Sequence, residues 1–430
     1  MKLTASHRLY GLGAILFVSL TICARRFEGR GEAFPVVPLV IAGVAYLLAT
    51  REFFCTQSLP RRVVVIGLVL AAVWQVAFLG IPTGSDGDVR RYVWDGRLQR
   101  FGYNPYIVVP DDPVVAGLHT AETRALNHPD LPSPYPPGAL LFFRAITAIH
   151  ESVLALRVAF VICDVAIVLV LLDVLRETGQ GMHWVLAFAW NPLLATETAG
   201  SGHIDIVGAL LLVVSFAALL RRWRTIAAVA FALAVAVKFL PIVLLPLYWR
   251  RVRIRDAVLG AGTFALLYLP FVHDGRIPVG SLGIYLQSFR FNDPVFTWLE
   301  RMATPRVITG LAILIGVLIA MRFRAKFQAS SADAFVWPMA ASLLCAPVVY
   351  PWYLLWMLPF MRSVSTLPIV IWTVSIIPTY IVWHLRTVGR PWVLPGWVLW
   401  LEYGSVAVTG AMILLRRVVR RSSAASGASP

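Results

Sequence analysis

The densest concentration of groups able to do chemistry is the run Ser85-Asp86-Gly87-Asp88-Val89-Arg90-Arg91-Tyr92-Val93-Trp94-Asp95-Gly96-Arg97. Carboxylates accept protons, and the planar guanidinium fork of arginine matches an oxyanion such as phosphate. Helical spacing places Asp88, Arg91, Tyr92 and Asp95 on one face, and Gly102 is a natural helix stop. The same residues have a plain structural use. Ser85 can cap the helix start with Asp88 three residues on, and Asp88 can pair with Arg91. Tyr92 and Trp94 equally suit a helix lying at a membrane interface. The stretch continues through Gly102-Tyr103-Asn104-Pro105-Tyr106 and closes on Tyr135-Pro136-Pro137.

Other candidates are scattered along the chain. His203 and Asp205 flank a helix start, with Glu197 six residues before His203. Three such groups resemble loose metal ligands, but the spacing is not diagnostic, and capping and local pairing or substrate contact account for them better. Lys238 lies in an apolar run. A lysine at mid-membrane costs about 2.5–3.5 kcal/mol on insertion scales, so it requires a carboxylate partner such as Asp164, an interface to snorkel to, or a function. Arg290-Phe291-Asn292-Asp293 reads as a binding loop or as a plain Asn-Asp-Pro turn. Trp352 and Tyr353, after Tyr350-Pro351, suit interfacial anchors as well as site residues. Four cysteines show neither metal nor disulfide spacing, and Gly260-Ala261-Gly262 lacks the rest of a dinucleotide fingerprint.

The elements that must position these groups are membrane helices. Hydrophobic residues make up 59% of the 430 and charged residues 14%, against about 25% in soluble domains. The apolar runs are long and continuous, which favours helices over a barrel's short alternating strands. About fourteen apolar segments follow one another. They are Leu9–Ala24, Phe34–Thr50, Val63–Ile81, Leu154–Leu175, His183–Ala199, Ile204–Leu220, Thr225–Val237, Phe239–Trp249, Ala257–Val272, Val307–Met321, Ala334–Val349, Trp352–Met361, Leu367–Trp383 and Trp397–Leu415. The expected fold is an all-α polytopic bundle of about 11–14 membrane segments. Thr225–Val237 with Phe239–Trp249 reads as a short paired or re-entrant unit. The net charge of +16 gathers in short clusters at helix ends, such as Arg221–Arg224 and Arg416–Arg421. That is the positive-inside pattern, and no nucleic acid is needed to explain it. With the N-terminus inside, the loops 82–150 and 273–306 fall outside, and 138–150 is an interfacial helix. Residues 1–421 form one membrane domain, followed by a tail, 422–430, expected to be disordered.

The order of these motifs resembles the GT-C superfamily of glycosyltransferases. The resemblance is greatest to bacterial polyprenol-phosphate-mannose-dependent mannosyltransferases, including glycosyltransferase family 87. It is carried by Asp-x-x-Arg-Tyr at Asp88–Tyr92, Trp-Asp-Gly-Arg at Trp94–Arg97 and Gly-x-Asn-Pro-Tyr at Gly102–Tyr106. It continues through Asn127–Pro132, Tyr135–Pro137, Asn191–Leu193, Gly202–Asp205, Lys238–Pro241 and Pro351–Trp356. Relatives often place two adjacent acids where this chain has Gly87-Asp88, and a histidine where it has Tyr350. The resemblance implies transfer of mannose from a polyprenyl-phosphate donor to a lipid-linked or cell-envelope glycan, with no cofactor, on the outer face of the bacterial plasma membrane. It makes Asp88 the base, with Asp86 the second candidate. The implied substrate contacts are Arg91, Tyr92, Asp95, Arg97, Asn104, Tyr106, Tyr135, Glu197, His203, Asp205, Lys238, Arg290, Tyr350, Trp352 and Tyr353. A transporter or flippase for lipid-linked sugars would more often show internal repeats and mid-membrane charges. A polysaccharide polymerase or ligase would share the topology without the Asp-x-x-Arg-Tyr motif.

Overall fold

The computed structural model describes residues 4–26, 35–83, 87–326 and 331–426. Among them every regular element is a helix, because in lipid each backbone N–H must find its carbonyl within the segment. Helices α1 (Ala5–Arg26), α2 (Val36–Cys55) and α3 (Arg61–Leu79) pack as a hairpin and a third strut. Arg8 pairs with Glu52 at 2.6 Å near one end of α1 and α2. Then come α4 (Asp88–Arg100), α5 (Pro137–Ile149) and the long α6 (Val153–Glu177).

The next segment is irregular. Short α7 (Val185–Ala189) and α8 (Pro192–Leu194) lead into a π-helical turn, Ala195–Ser201. It is held from outside. The Tyr46 hydroxyl donates to the Ala187 carbonyl at 2.7 Å, and the Trp190 indole to the Gly67 carbonyl at 2.9 Å. These two bonds tie α2 and α3 to this segment. The chain continues through α9 (Asp205–Leu220), α10 (Arg224–Val237) and α11 (Ile254–Tyr268), then α12 (Leu282–Ser288) and α13 (Pro294–Leu299) in the second large loop. It ends with α14 (Pro305–Ala325), α15 (Asp333–Leu344), α16 (Leu367–Ser375), α17 (Ile381–Thr387) and α18 (Gly396–Ser426).

Eight of the described segments are long and apolar enough to cross a membrane, and four shorter apolar helices, α5, α9, α10 and α15, accompany them. The all-α multi-pass bundle expected from composition is what the chain forms. Three details differ from expectation. Segments 239–249 and 352–361 are 3-10 turns (Leu240–Tyr248, Pro351–Trp356 and Leu358–Phe360), because Pro241, Pro246, Pro351 and Pro359 remove amide donors. The α4 helix begins on Asp88 itself, with Gly87 in the left-handed region (φ 74°) as N-cap, so Asp88 is the first residue of the helix and Ser85 is not its cap residue. Ser85 and Asp86 lie outside the described residues. Finally, α18 continues to Ser426, so residues 422–426 are helical where an unordered tail was expected. Ala424 and Ala425 are strong helix formers and prolong the helix.

Close packing at one point carries directly into the site. Gly208 on α9 lies under the Trp356 indole, and a Cβ there would come within 1.9 Å of the ring. Gly208→Ala should displace Trp356 and cost about 1–3 kcal/mol by overpacking. A lowered thermal midpoint in detergent would register the change, and an unchanged midpoint would refute the close approach.

Candidate active site

The bundle's loops at one end enclose a cavity of about 880 Å³. Asp88 stands on its wall as the first residue of α4, where the helix dipole favours a carboxylate. Its side chain keeps 27% exposure. The Tyr135 hydroxyl donates to Asp88 Oδ2 at 3.4 Å. Burial, reinforced by the Asp88 charge, pushes the Tyr135 phenol well above its ordinary value, so it stays protonated and a donor.

Behind this wall lies a second acidic residue. The π-turn Ala195–Ser201 adds a residue to the helical coil and swings Glu197 back, where its carbonyl accepts from the His203 amide at 2.8 Å. The Glu197 carboxylate lies 2.8 Å from His203 Nδ1, and both side chains are fully buried. His203 Nε2 is 4.0 Å from Asp88 Oδ2. The imidazole stacks on Trp352 at 3.8 Å and 10°, and Trp352 stacks in turn on Tyr350 at 4.3 Å. Gly202 (φ 80°) makes this turn possible, since a Cβ there would strike Arg157. Arg157 holds the carbonyls of Phe78, Ile81 and Ala199, tying the end of α3 to the π-turn.

Lys238 ends α10 on the cavity floor. Its Nζ donates to Asp205 Oδ1 at 2.7 Å and sits 3.6 Å above the Tyr353 ring. Asp205 also accepts from the Trp356 indole at 2.7 Å. The partner of Lys238 is therefore Asp205. Asp164, the other partner considered, takes a hydrogen bond from Gln75 instead. Tyr353 shares a 2.7 Å hydroxyl contact with Tyr285 of the second large loop. A carboxylate, an ammonium and a set of aromatic faces thus meet in one partly enclosed space, which suits sugar transfer from an anionic leaving group.

Residues 19–252 match the model of the MptA_B family, described as alpha-(1->6)-mannopyranosyltransferase, N-terminal domain. The chain belongs to this family. It is a mannosyltransferase, and hence a glycosyltransferase. No curated protein and no solved structure gives a significant match. The matched part of the mannosyltransferase supplies Asp88, Tyr135, Asp205 and Lys238 to the cavity. The opposite wall, with Tyr285, Arg290, Tyr350, Trp352 and Tyr353, comes from beyond residue 252.

Of the residues singled out in the sequence, Asp88, Arg91, Tyr92, Tyr135, Asp205, Lys238, Arg290, Tyr350, Trp352 and Tyr353 line the cavity, with His203 and Glu197 just behind. Four others are not brought to it. Asp95 is fully buried, paired with Arg91 at 3.0 Å and accepting from Ser133 at 2.6 Å. Burial pushes its carboxyl up, while Arg91 and Ser133 pull the other way. Arg97 is committed to Glu151, which also holds Arg100 at 2.6 Å. Asn104 donates to the Phe271 carbonyl at 2.8 Å, and the Tyr106 hydroxyl to the Tyr135 carbonyl at 2.7 Å. These contacts brace the first large loop against its neighbours. Arg91, though on the wall, also spends its fork on the loop, donating to the His128 and Leu131 carbonyls at 3.2 and 2.9 Å. Arg91→Met would strand the Asp95 charge in the interior, at a cost of roughly 3 kcal/mol in thermal unfolding. An unchanged midpoint would mean that Asp95 is neutral in the folded protein.

Sequence reasoning missed Tyr285, Trp383, Arg386 and Trp392 on the cavity wall. None lies in a spaced motif; only their position outside the apolar runs could have marked Arg386 and Trp392. His128, read only as part of the Asn127–Pro132 motif, also lines the cavity, and burial holds its imidazole below its ordinary value against the pull of Asp130.

Proposed function

We propose that this mannosyltransferase takes its sugar from a polyprenyl-phosphate donor and passes it to a lipid-linked or cell-envelope glycan on the extracytoplasmic face of the bacterial plasma membrane. The loops 82–150 and 273–306 form the outer catalytic surface of a single membrane domain. One observation carries the reading: Asp88 and the Asp205-paired Lys238 share a single cavity at one end of a membrane bundle. Its depth supports a membrane-borne donor. Helix α10 has 14 residues. At 1.5 Å per residue it rises only about 21 Å from Arg224, short of the roughly 30 Å hydrocarbon core, which supports a Lys238 within reach of a phosphate at lipid depth when Arg224 lies at the inner boundary.

The reaction is one displacement. The acceptor hydroxyl oxygen attacks the anomeric carbon, and its proton passes to Asp88. The bond from the anomeric carbon to the phosphate oxygen breaks, and the electron pair leaves with polyprenyl phosphate, whose charge Lys238 offsets. Tyr350, Trp352 and Tyr353 offer faces to the sugar. Inversion that yields the α linkage in the family's description requires a β-linked donor.

The test is transfer by the purified protein in lipid nanodiscs, with a panel of polyprenyl-phosphate sugars and membrane glycan acceptors. Turnover is expected with the β-linked polyprenyl-phosphate mannose. Turnover with GDP-mannose and none with any lipid donor would overturn the reading.

A further inference from the structure

We infer that Glu197 and His203 form a buried positioning pair that keeps Asp88 ionised and poised as the base. The inference rests on Asp88 being the base.

A carboxylate with no exposure is stable as an anion only beside a compensating cation or strong donors. His203 Nδ1 lies 2.8 Å from the Glu197 carboxylate, an ion-pair distance, and the imidazole is equally buried. Glu197 therefore favours a proton on the ring. The far nitrogen of that ring points to Asp88, 4.0 Å away, at the boundary between protein interior and cavity. A positive ring at that distance favours the ionised form of Asp88 in a medium less polarisable than water. The Trp352 face, stacked at 3.8 Å, fixes the plane of the imidazole and so the direction of its Nε2.

Other groups facing Asp88 and His203 act on the same charge. Tyr135 donates to Asp88 from the first large loop. Lys238, which caps α10 and is paired with Asp205, and Tyr285 on α12 feel Asp88 across the cavity. Arg157 on α6 lies beneath Gly202 and is engaged by three backbone carbonyls. None of these stands where a substitution at Glu197 would remove it, so the pair can be probed separately.

Glu197→Gln keeps the size and hydrogen-bonding shape of the side chain and removes its charge. The ring then loses its anionic neighbour, holds its proton less firmly, and favours ionised Asp88 less. The expected result is a fall in kcat of about 10- to 100-fold at neutral pH, with donor KM changed less than about threefold. The acid limb of the kcat–pH profile should move to higher pH, so part of the lost rate returns as pH rises. His203→Gln should move the limb in the same direction, and Glu197→Asp should recover part of the rate.

A loss of kcat with an unmoved acid limb, or loss of donor binding in Glu197→Gln, would assign the pair to packing alone and overturn the inference. Unaltered kcat and profile would overturn it too. If instead Asp88→Asn retained turnover, the assignment of the base itself would be at fault, which separates the two failures.

Discussion

Replacing Asp88 by asparagine should lower kcat by about 10³-fold or more while the protein still inserts and binds donor, since general-base groups contribute roughly 10²–10⁴-fold. The side chain occupies the first turn of α4 and retains partial exposure to the cavity, so the change alters charge with little change in shape. Asparagine can still accept from Tyr135, which keeps the local geometry. The measurement is single-turnover transfer with donor binding determined in parallel. Undiminished turnover would remove Asp88 from the mechanism. Asp86→Asn is the companion experiment, because Asp86 is the other acid of the motif.

Lys238→Met should weaken donor binding by about 10- to 100-fold, the value of a charged hydrogen bond at roughly 1.5–3 kcal/mol. The thioether fills the space of the lysine stem but offers no charge to a leaving phosphate. A second consequence is structural. Asp205 is almost fully buried, and without the ammonium it keeps only the Trp356 indole as a charge-offsetting donor among the contacts described. The single variant should therefore also unfold at lower temperature. Lys238→Met combined with Asp205→Asn separates the effects: stability should return in the double variant, and donor affinity should not. Donor affinity unchanged in the single variant would reduce Lys238 to the structural partner of Asp205.

These two residues show how differently a motif and its surroundings can be read. Asp88 stood out because helical spacing tied it to Arg91 and Tyr92. That spacing could not say which face of α4 would meet the cavity. Arg97 and Asp95 belong to the same run, yet one turns to Glu151 and the other is buried under Ser133. Lys238 was legible as costly in an apolar segment. Its partner was not, because Asp205 precedes it by 33 residues and reaches it only when α9 and α10 pack side by side. The 3-10 segments were partly legible in their prolines, while the π-turn that delivers Glu197 to His203 has no comparable signature.

The sequence by itself determined that the chain is a helical membrane protein. Lipid offers the backbone no hydrogen bonds, so hydropathy is enough to mark the long spans, though not the 3-10 and π turns between them. It also determined the order of the motifs, from which the mannosyltransferase family could be suspected. The tertiary structure alone decided which polar groups converge. Glu197, His203 and Asp88 form a line, and Lys238 meets Asp205 and Tyr353, because segments far apart in the chain pack at one end of the bundle. Side-chain direction at such a junction depends on crossing geometry and on close approaches such as Gly208 against Trp356, and neither is encoded in local periodicity.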